Sequence, residues 1–228
     1  MLDVLYEDNH LLAVNKPAML PTMGVADDRP SLLSVAKEYV RRKYNKPGNV
    51  YLGIVSRLDA PVTGVVLLAR TSKAAGRLSE QFRQHDVEKI YWAAVEGRIE
   101  PREGRLVDFL RKDERHRKMH VTREDTPDAQ RAELTYRVLA SEGPDSLLEV
   151  QLMTGRKHQI RLQLSHAGFP VVGDRKYGSS RAFPTGIALH SRRVAIVHPV
   201  SKMQLEIEAP LPPAWQRYMR ALTRALKH

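Results

Sequence analysis

Val55-Ser56-Arg57-Leu58-Asp59, Ala60-Pro61-Val62-Thr63-Gly64 and Val65-Val66-Leu67-Leu68-Ala69 follow one another without a break. An unbroken apolar run such as Val65 to Ala69 reads as a strand buried on both faces. Just ahead of it, Arg57 and Asp59 stand two residues apart, so on an extended chain both project to the same side. Ionised groups beside buried structure are costly unless they are paired or used. Pro61 pushes Ala60 toward an extended conformation, and Gly64 permits a tight entry to the strand. A rigid loop that carries two opposite charges at the mouth of a core strand serves either a local ion pair or catalysis.

Working outward, Val4 to Tyr6 and Leu11 to Asn15 read as short strands around Glu7-Asp8-Asn9. Ser31 opens a helix with Leu32, Val35, Ala36, Tyr39 and Val40 on one face, closed by Pro47-Gly48. Ser72 is placed to cap a second helix carrying Ala75, Leu78 and Phe82. Ile90 to Val95, Ala132 to Ala140, Leu147 to Leu152, Ile187 to Val197 and Gln204 to Glu208 read as further strands. Lys157 to Ala167 reads as a helix ended by Gly168, and the tail from Trp215 as an amphipathic helix. Strands outnumber helices and do not alternate with them. The expectation is an α+β fold, a mixed and mainly antiparallel sheet with flanking helices, in a single domain spanning residues 1–228.

The 228 residues are 42% hydrophobic, enough for a sizeable core, and carry 37 Lys and Arg against 26 Asp and Glu. A net charge of +11 spread along the chain favours a polyanion as partner, and nucleic acid over a membrane surface. No apolar stretch reaches the length of a membrane span. There is no cysteine, which excludes disulfides and Cys-ligated metal. The acidic opening Asp3 to Asp8 is unlike a secretory leader, so a cytoplasmic setting is expected. His116 with His120, and His158 with His166, lack a metal-ligand pattern, and no metal or other cofactor is expected.

Four more segments carry chemistry. Residues 111–123, Arg111-Lys112-Asp113-Glu114-Arg115-His116-Arg117-Lys118-Met119-His120-Val121-Thr122-Arg123, hold six bases and no regular period. They read as a basic loop or ribbon, with Arg111, Lys112, Arg115, Arg117 and Lys118 available to the phosphates of a nucleic acid. Thr154-Gly155-Arg156-Lys157-His158-Gln159-Ile160-Arg161-Leu162 places a glycine turn and a basic cluster at a helix start, where free N–H groups favour anions. Arg156, Lys157, His158 and Gln159 are therefore candidate substrate contacts. Lys89-Ile90-Tyr91 sets a cation and a phenol on one face of a strand. Gly173-Asp174-Arg175-Lys176-Tyr177-Gly178 is a glycine-bounded turn.

In this order, and with His10-Leu11-Leu12-Ala13-Val14-Asn15-Lys16-Pro17 before them and Leu189-His190-Ser191 and His198-Pro199 after, these segments resemble the RluA-type pseudouridine synthases. The resemblance runs from about Val4 to Pro212 and implies the catalytic domain of that family without its small N-terminal RNA-binding (S4) domain. It implies that Asp59 is the nucleophile, that Arg57 is its neighbouring arginine, and that Tyr91 stacks on the target base. It also implies that Arg161 pairs with the aspartate and that Leu162 supports the base. Lys16 in the opening motif is a further candidate for the RNA backbone. Ser56 stands where a histidine is frequent, Ala60 to Thr63 replaces a more polar run, Lys157 replaces a threonine and Gln163 a histidine.

The implied activity is isomerisation of a uridine in ribosomal or transfer RNA by a monomer, with the base flipped out of its helix to reach the pocket. The rival from another class is a non-catalytic RNA-binding protein built on the same body. A glycoside hydrolase would need a spaced pair of carboxylates. Asp174 is the sole candidate partner for Asp59, and its setting is that of a turn residue.

Overall fold

The computed structural model describes residues 2–24, 29–113, 115 and 118–225. They fall into two compact units, Met1–Glu88 with Ser191–Leu211, and Lys89–His190 with Pro212–His228. The α+β expectation holds, with a mostly antiparallel sheet and four helices.

In the first unit, β1 (Val4–Glu7), β2 (Leu11–Lys16) and β4 (Thr63–Ala69) lie side by side and antiparallel, and the short β3 (Gly53–Ile54) adds to β4. β10 (Leu189–Val197) and β11 (Gln204–Glu208) form an antiparallel hairpin. All of β4 is buried, as its apolar run requires. Gly64 sits in β4 at φ +110°, and a Cβ there would come within 2.2 Å of the Ser191 carbonyl oxygen. Its use is close backbone packing as well as turning. Leu11, Ala13, Val65, Leu67 and Ala69 meet Val194, Ile196 and Ile207 and, from the helices, Ala74 and Leu78. Truncating a residue such as Leu67 to Ala costs about 2–5 kcal/mol.

The helices start where their caps are. Ser31 and Ser34 form a reciprocal capping box at the head of α1 (Leu32–Lys43), whose buried face is Leu32, Ala36 and Val40. Arg41, Arg42 and Lys43 occupy its last turn, where cations complement the helix dipole. The cap of α2 (Ser72–Gln84) is Thr71, one residue before the expected Ser72, and its hydroxyl accepts from the Ala74 N–H.

In the second unit the strand order is β5 (Glu88–Glu96), β9 (Asp145–Leu152), β8 (Gln130–Glu142), β6 (Glu103–Asp113), β7 (Lys118–Thr122). Of the two readings of residues 111–123, loop or ribbon, the second holds: they include the end of the β6–β7 ribbon, in register Arg111↔His120, Lys112↔Met119 and Asp113↔Lys118. Its strand character is hidden in the sequence because Arg111, Lys112 and His120 are all exposed, which leaves no apolar alternation. Helix α3 (Gln159–His166) is buried from Gln159 to Leu164. It begins after Lys157 and His158, and His158 adopts a left-handed φ of 55°. Lys157 therefore shares no helix face with Arg161. Helix α4 (Gln216–Ala225) packs Trp215 and Tyr218 into the unit, with Trp215 edge-on to Phe183 and His190. The fully buried Asp145 binds Arg181, Arg217 and the Tyr218 hydroxyl, which joins the last helix to the β8–β9 turn.

Candidate active site

The loop before β4 is held on both sides of Asp59. Upstream, the Val55 and Ser56 N–H groups donate to the Leu67 carbonyl (3.1 and 3.3 Å), and the Ser56 hydroxyl accepts from the Leu67 N–H (2.9 Å). Ser56 is thus a backbone clamp between the loop and the strand. The buried Thr22 hydroxyl donates to the Leu58 carbonyl (2.8 Å) and accepts from the Leu58 N–H (3.2 Å). Downstream, the Asp59 carbonyl accepts from the Val62 N–H (3.0 Å). Leu58 is buried, while Arg57 is exposed and Asp59 half-buried, the alternation the extended reading requires.

Lys16 corrects an expectation. Its side chain is 0% exposed, so it is not a contact for RNA phosphates. The ammonium donates to the carbonyls of Pro17 (2.8 Å), Leu20 (2.8 Å) and Ala60 (3.0 Å). Burial pushes its pKa down to about 8 against the opposing pull of the Asp59 charge. Lys16 is a brace: it fixes the peptide that follows Asp59.

The remaining expected residues lie in the second unit. Arg161 is buried and grips Asp174 with two parallel bonds, Nε to Oδ2 at 2.6 Å and Nη2 to Oδ1 at 2.8 Å. Asp174, expected as a turn residue, is 2% exposed and bears a structural charge pair. Its turn reading was incomplete because the motif shows the glycines but not the arginine across from it. The Arg161 guanidinium lies 5.1 Å from the Tyr177 ring centre, and the Lys118 ammonium is also 5.1 Å from it. The Tyr177 oxygen accepts from the Met119 N–H (3.1 Å) and lies 2.7 Å from His158 Nδ1. One phenol thereby joins the α3 entry, the 174–178 turn and the basic ribbon.

Tyr91 is half-buried on β5. Leu162 is 8% exposed and packs with Leu110, Met119, Ala132 and Tyr177. Gln159, expected to touch substrate, is buried, and its amide is used internally. Its oxygen accepts from the Thr154 hydroxyl (2.8 Å) and the Arg156 N–H (2.9 Å), and its nitrogen donates to the Glu133 carbonyl (3.0 Å). It shapes the loop that exposes Lys157 and sets Arg156 against the Arg131 carbonyl (3.1 Å). Gln163 is likewise buried and donates to Asp108 (2.8 Å). On the ribbon, Arg111, Lys112 and Arg115 are exposed and Lys118 is half-buried, while Arg117 lies outside the described residues. Among the described residues no group of three His, Asp or Glu could hold a metal ion, and no helix is long and apolar enough to cross a membrane.

The model of the RNA pseudouridylate synthase family matches residues 10–166. The chain is 33% identical to the uncharacterized RNA pseudouridine synthase YhcT of Bacillus subtilis, over 92% of this chain and 69% of that one. It is 32% identical to tRNA pseudouridine synthase C of Vibrio cholerae, over 95% and 93%. It is 34% identical to ribosomal large subunit pseudouridine synthase D of Xanthomonas campestris, over 97% and 69%. Among solved structures, human RNA pseudouridylate synthase domain containing 4 superposes with a TM-score of 0.80 at 26% identity, covering 97% of this chain and 93% of that one. The chain belongs to the RNA pseudouridylate synthase family of isomerases.

Proposed function

We propose that this enzyme isomerises a specific uridine of ribosomal or transfer RNA with Asp59 as nucleophile. In the reaction the C1′–N1 bond breaks, C1′ joins C5, C5 loses its proton and N1 gains one. Atoms and electrons balance without a co-reactant. The observation that carries the reading is the bracing of the backbone on both sides of Asp59. Thr22 holds Leu58 and Lys16 holds Ala60, while Asp59 between them is half-buried. Fixing a nucleophile in advance lowers the cost of orienting it during reaction.

The other roles follow the family pattern. Tyr91 stacks on the flipped uracil, Leu162 supports it, and Arg161 keeps the nucleophilic carboxylate charged. Arg57, exposed beside Asp59, fills the space the base leaves. Arg156, Lys157 and His158, with the ribbon bases Arg111, Lys112, Arg115 and Lys118, hold the RNA backbone. Relatives named for transfer RNA and for ribosomal RNA support both substrate classes.

The test is pseudouridine mapping in total RNA incubated with wild-type protein and with Asp59→Asn. New pseudouridine at defined sites with the first and none with the second is the expected result. RNA binding without pseudouridine from the wild type would leave a binding protein on a synthase body.

A further inference from the structure

Five Lys, Arg, Asp or Glu side chains are buried among the described residues: Lys16, Lys89, Asp145, Arg161 and Asp174. Four of them are compensated in the fold. Lys16 has its three carbonyls, Arg161 and Asp174 have each other, and Asp145 has two arginines and a tyrosine. Lys89, 7% exposed, forms no hydrogen bond or ion pair with any described residue. Its stem is packed away, but its ammonium is not among the sealed side-chain atoms that lack a partner, so the tip reaches solvent and is open to an anion.

Its position suggests the use. Lys89 is two residues before Tyr91 on β5, and both side chains leave the strand on the same face. The strand fixes their spacing, so a nucleotide whose base stacks on Tyr91 must bring its sugar and phosphates near that face. A phosphodiester is the anionic group RNA carries, and a flipped nucleotide takes its phosphate into poorly solvated surroundings. That phosphate needs a cation there.

We infer that Lys89 is a positioning residue that holds a phosphate of the target nucleotide while its base lies on Tyr91. The inference rests on the stacking role proposed for Tyr91. In the empty enzyme water serves the ammonium tip, and the substrate phosphate takes its place. Burial of the stem lowers the pKa of Lys89, and a bound phosphate would raise it again.

The experiment uses a short RNA spanning a site that the wild-type enzyme modifies, made with phosphodiesters throughout or with a neutral methylphosphonate on the 5′ or the 3′ side of the target uridine. Single-turnover rates and half-saturating RNA concentrations are measured for wild type, Lys89→Met and Lys89→Arg, with thermal melting alongside. Lys89→Met should lower the ratio of rate to half-saturation by about 10- to 100-fold, the range for one charged hydrogen bond. Lys89→Arg should recover part of it. One methylphosphonate should cost the wild type a similar factor and cost Lys89→Met almost nothing more. The melting temperature of Lys89→Met should be nearly unchanged, since the packed stem is kept and no internal bond is lost.

Full wild-type activity in Lys89→Met, or a lowered melting temperature with unchanged activity of the folded protein, would overturn the assignment. So would methylphosphonate losses that are equal in both proteins. Absence of pseudouridine with the wild type on any RNA would overturn the parent proposal, and this one with it. That outcome is read from the wild-type samples alone.

Discussion

Asp59 and Asp174 are both carboxylates next to glycine-containing turns, yet the structure gives them opposite settings. Asp174 is sealed against Arg161, whereas Asp59 keeps a solvent-facing side on a braced loop. Substitution should separate them. Asp59→Asn is nearly isosteric and should leave the melting temperature within a degree or two while abolishing turnover, since only the nucleophilic charge is lost. Arg161→Met strips the partner from a buried carboxylate, and a loss of about 3–5 kcal/mol in urea unfolding is expected. Joining it with Asp174→Leu should restore most of that stability, because an apolar pair removes both charges. If activity returned with stability in the double variant, Arg161 would be a structural residue alone. Lys16 belongs to the same scale. Lys16→Met leaves three carbonyls without their internal donor and should cost about 2–4 kcal/mol.

Among the elements, the β6–β7 ribbon has the strand limits least legible in the sequence. Its exposed bases point away from the core of the second unit, where counterion release rather than packing sets their contribution. Replacing Arg111, Lys112 and Arg115 with Ala should flatten the slope of log affinity against log salt by about 2–3 units, at roughly 0.7–0.9 per lost phosphate contact. The single-turnover rate at saturating RNA should hold. The ribbon is anchored through Met119 to Tyr177, so Tyr177→Phe should disturb it without removing any charge. An unchanged salt slope in the triple variant would make these charges a matter of solubility.

For the molecule as a whole, several carboxylates link stability to pH. Burial alone would raise the pKa of Glu7, but hydrogen bonds from Lys43, Tyr44 and Tyr39 outweigh it and leave the group lowered. Asp8 and Glu96 follow the same pattern, with the His10 and Leu11 N–H groups on one and Ser179 and the Arg181 N–H on the other. A carboxylate lowered by folding stabilises the native state above its unfolded pKa, and that contribution disappears as pH falls through the folded value. The urea midpoint should therefore be flat above about pH 5 and fall below about pH 4. Both tryptophans, Trp92 and Trp215, report on the second unit, and backbone circular dichroism covers both units. Glu96→Gln should flatten the acid limb seen by fluorescence more than that seen by circular dichroism. Equal flattening by both probes would mean that the units unfold as one.

Local chemistry was legible before any coordinates. The buried β4, the cap of α1, the stripes of α1 and α2, the α+β class and the motif order that marks the family all depend on residues close in sequence, where period and side-chain type carry the signal. Lys16 could not be assigned in that way. A lysine in a motif of a basic protein reads as a phosphate contact until the fold closes around it and supplies three carbonyls. Gln159 and Asp174 failed similarly, because their partners are fixed by tertiary contacts. The strand limits of the ribbon were not legible because a hairpin exposed on its basic positions has no period for a sequence to show. Lys89 is the reverse case: its place beside Tyr91 was visible in the alternation of a strand, but a packed stem with no internal partner for its ammonium is a property of the packed molecule, since only packing decides which groups come near it.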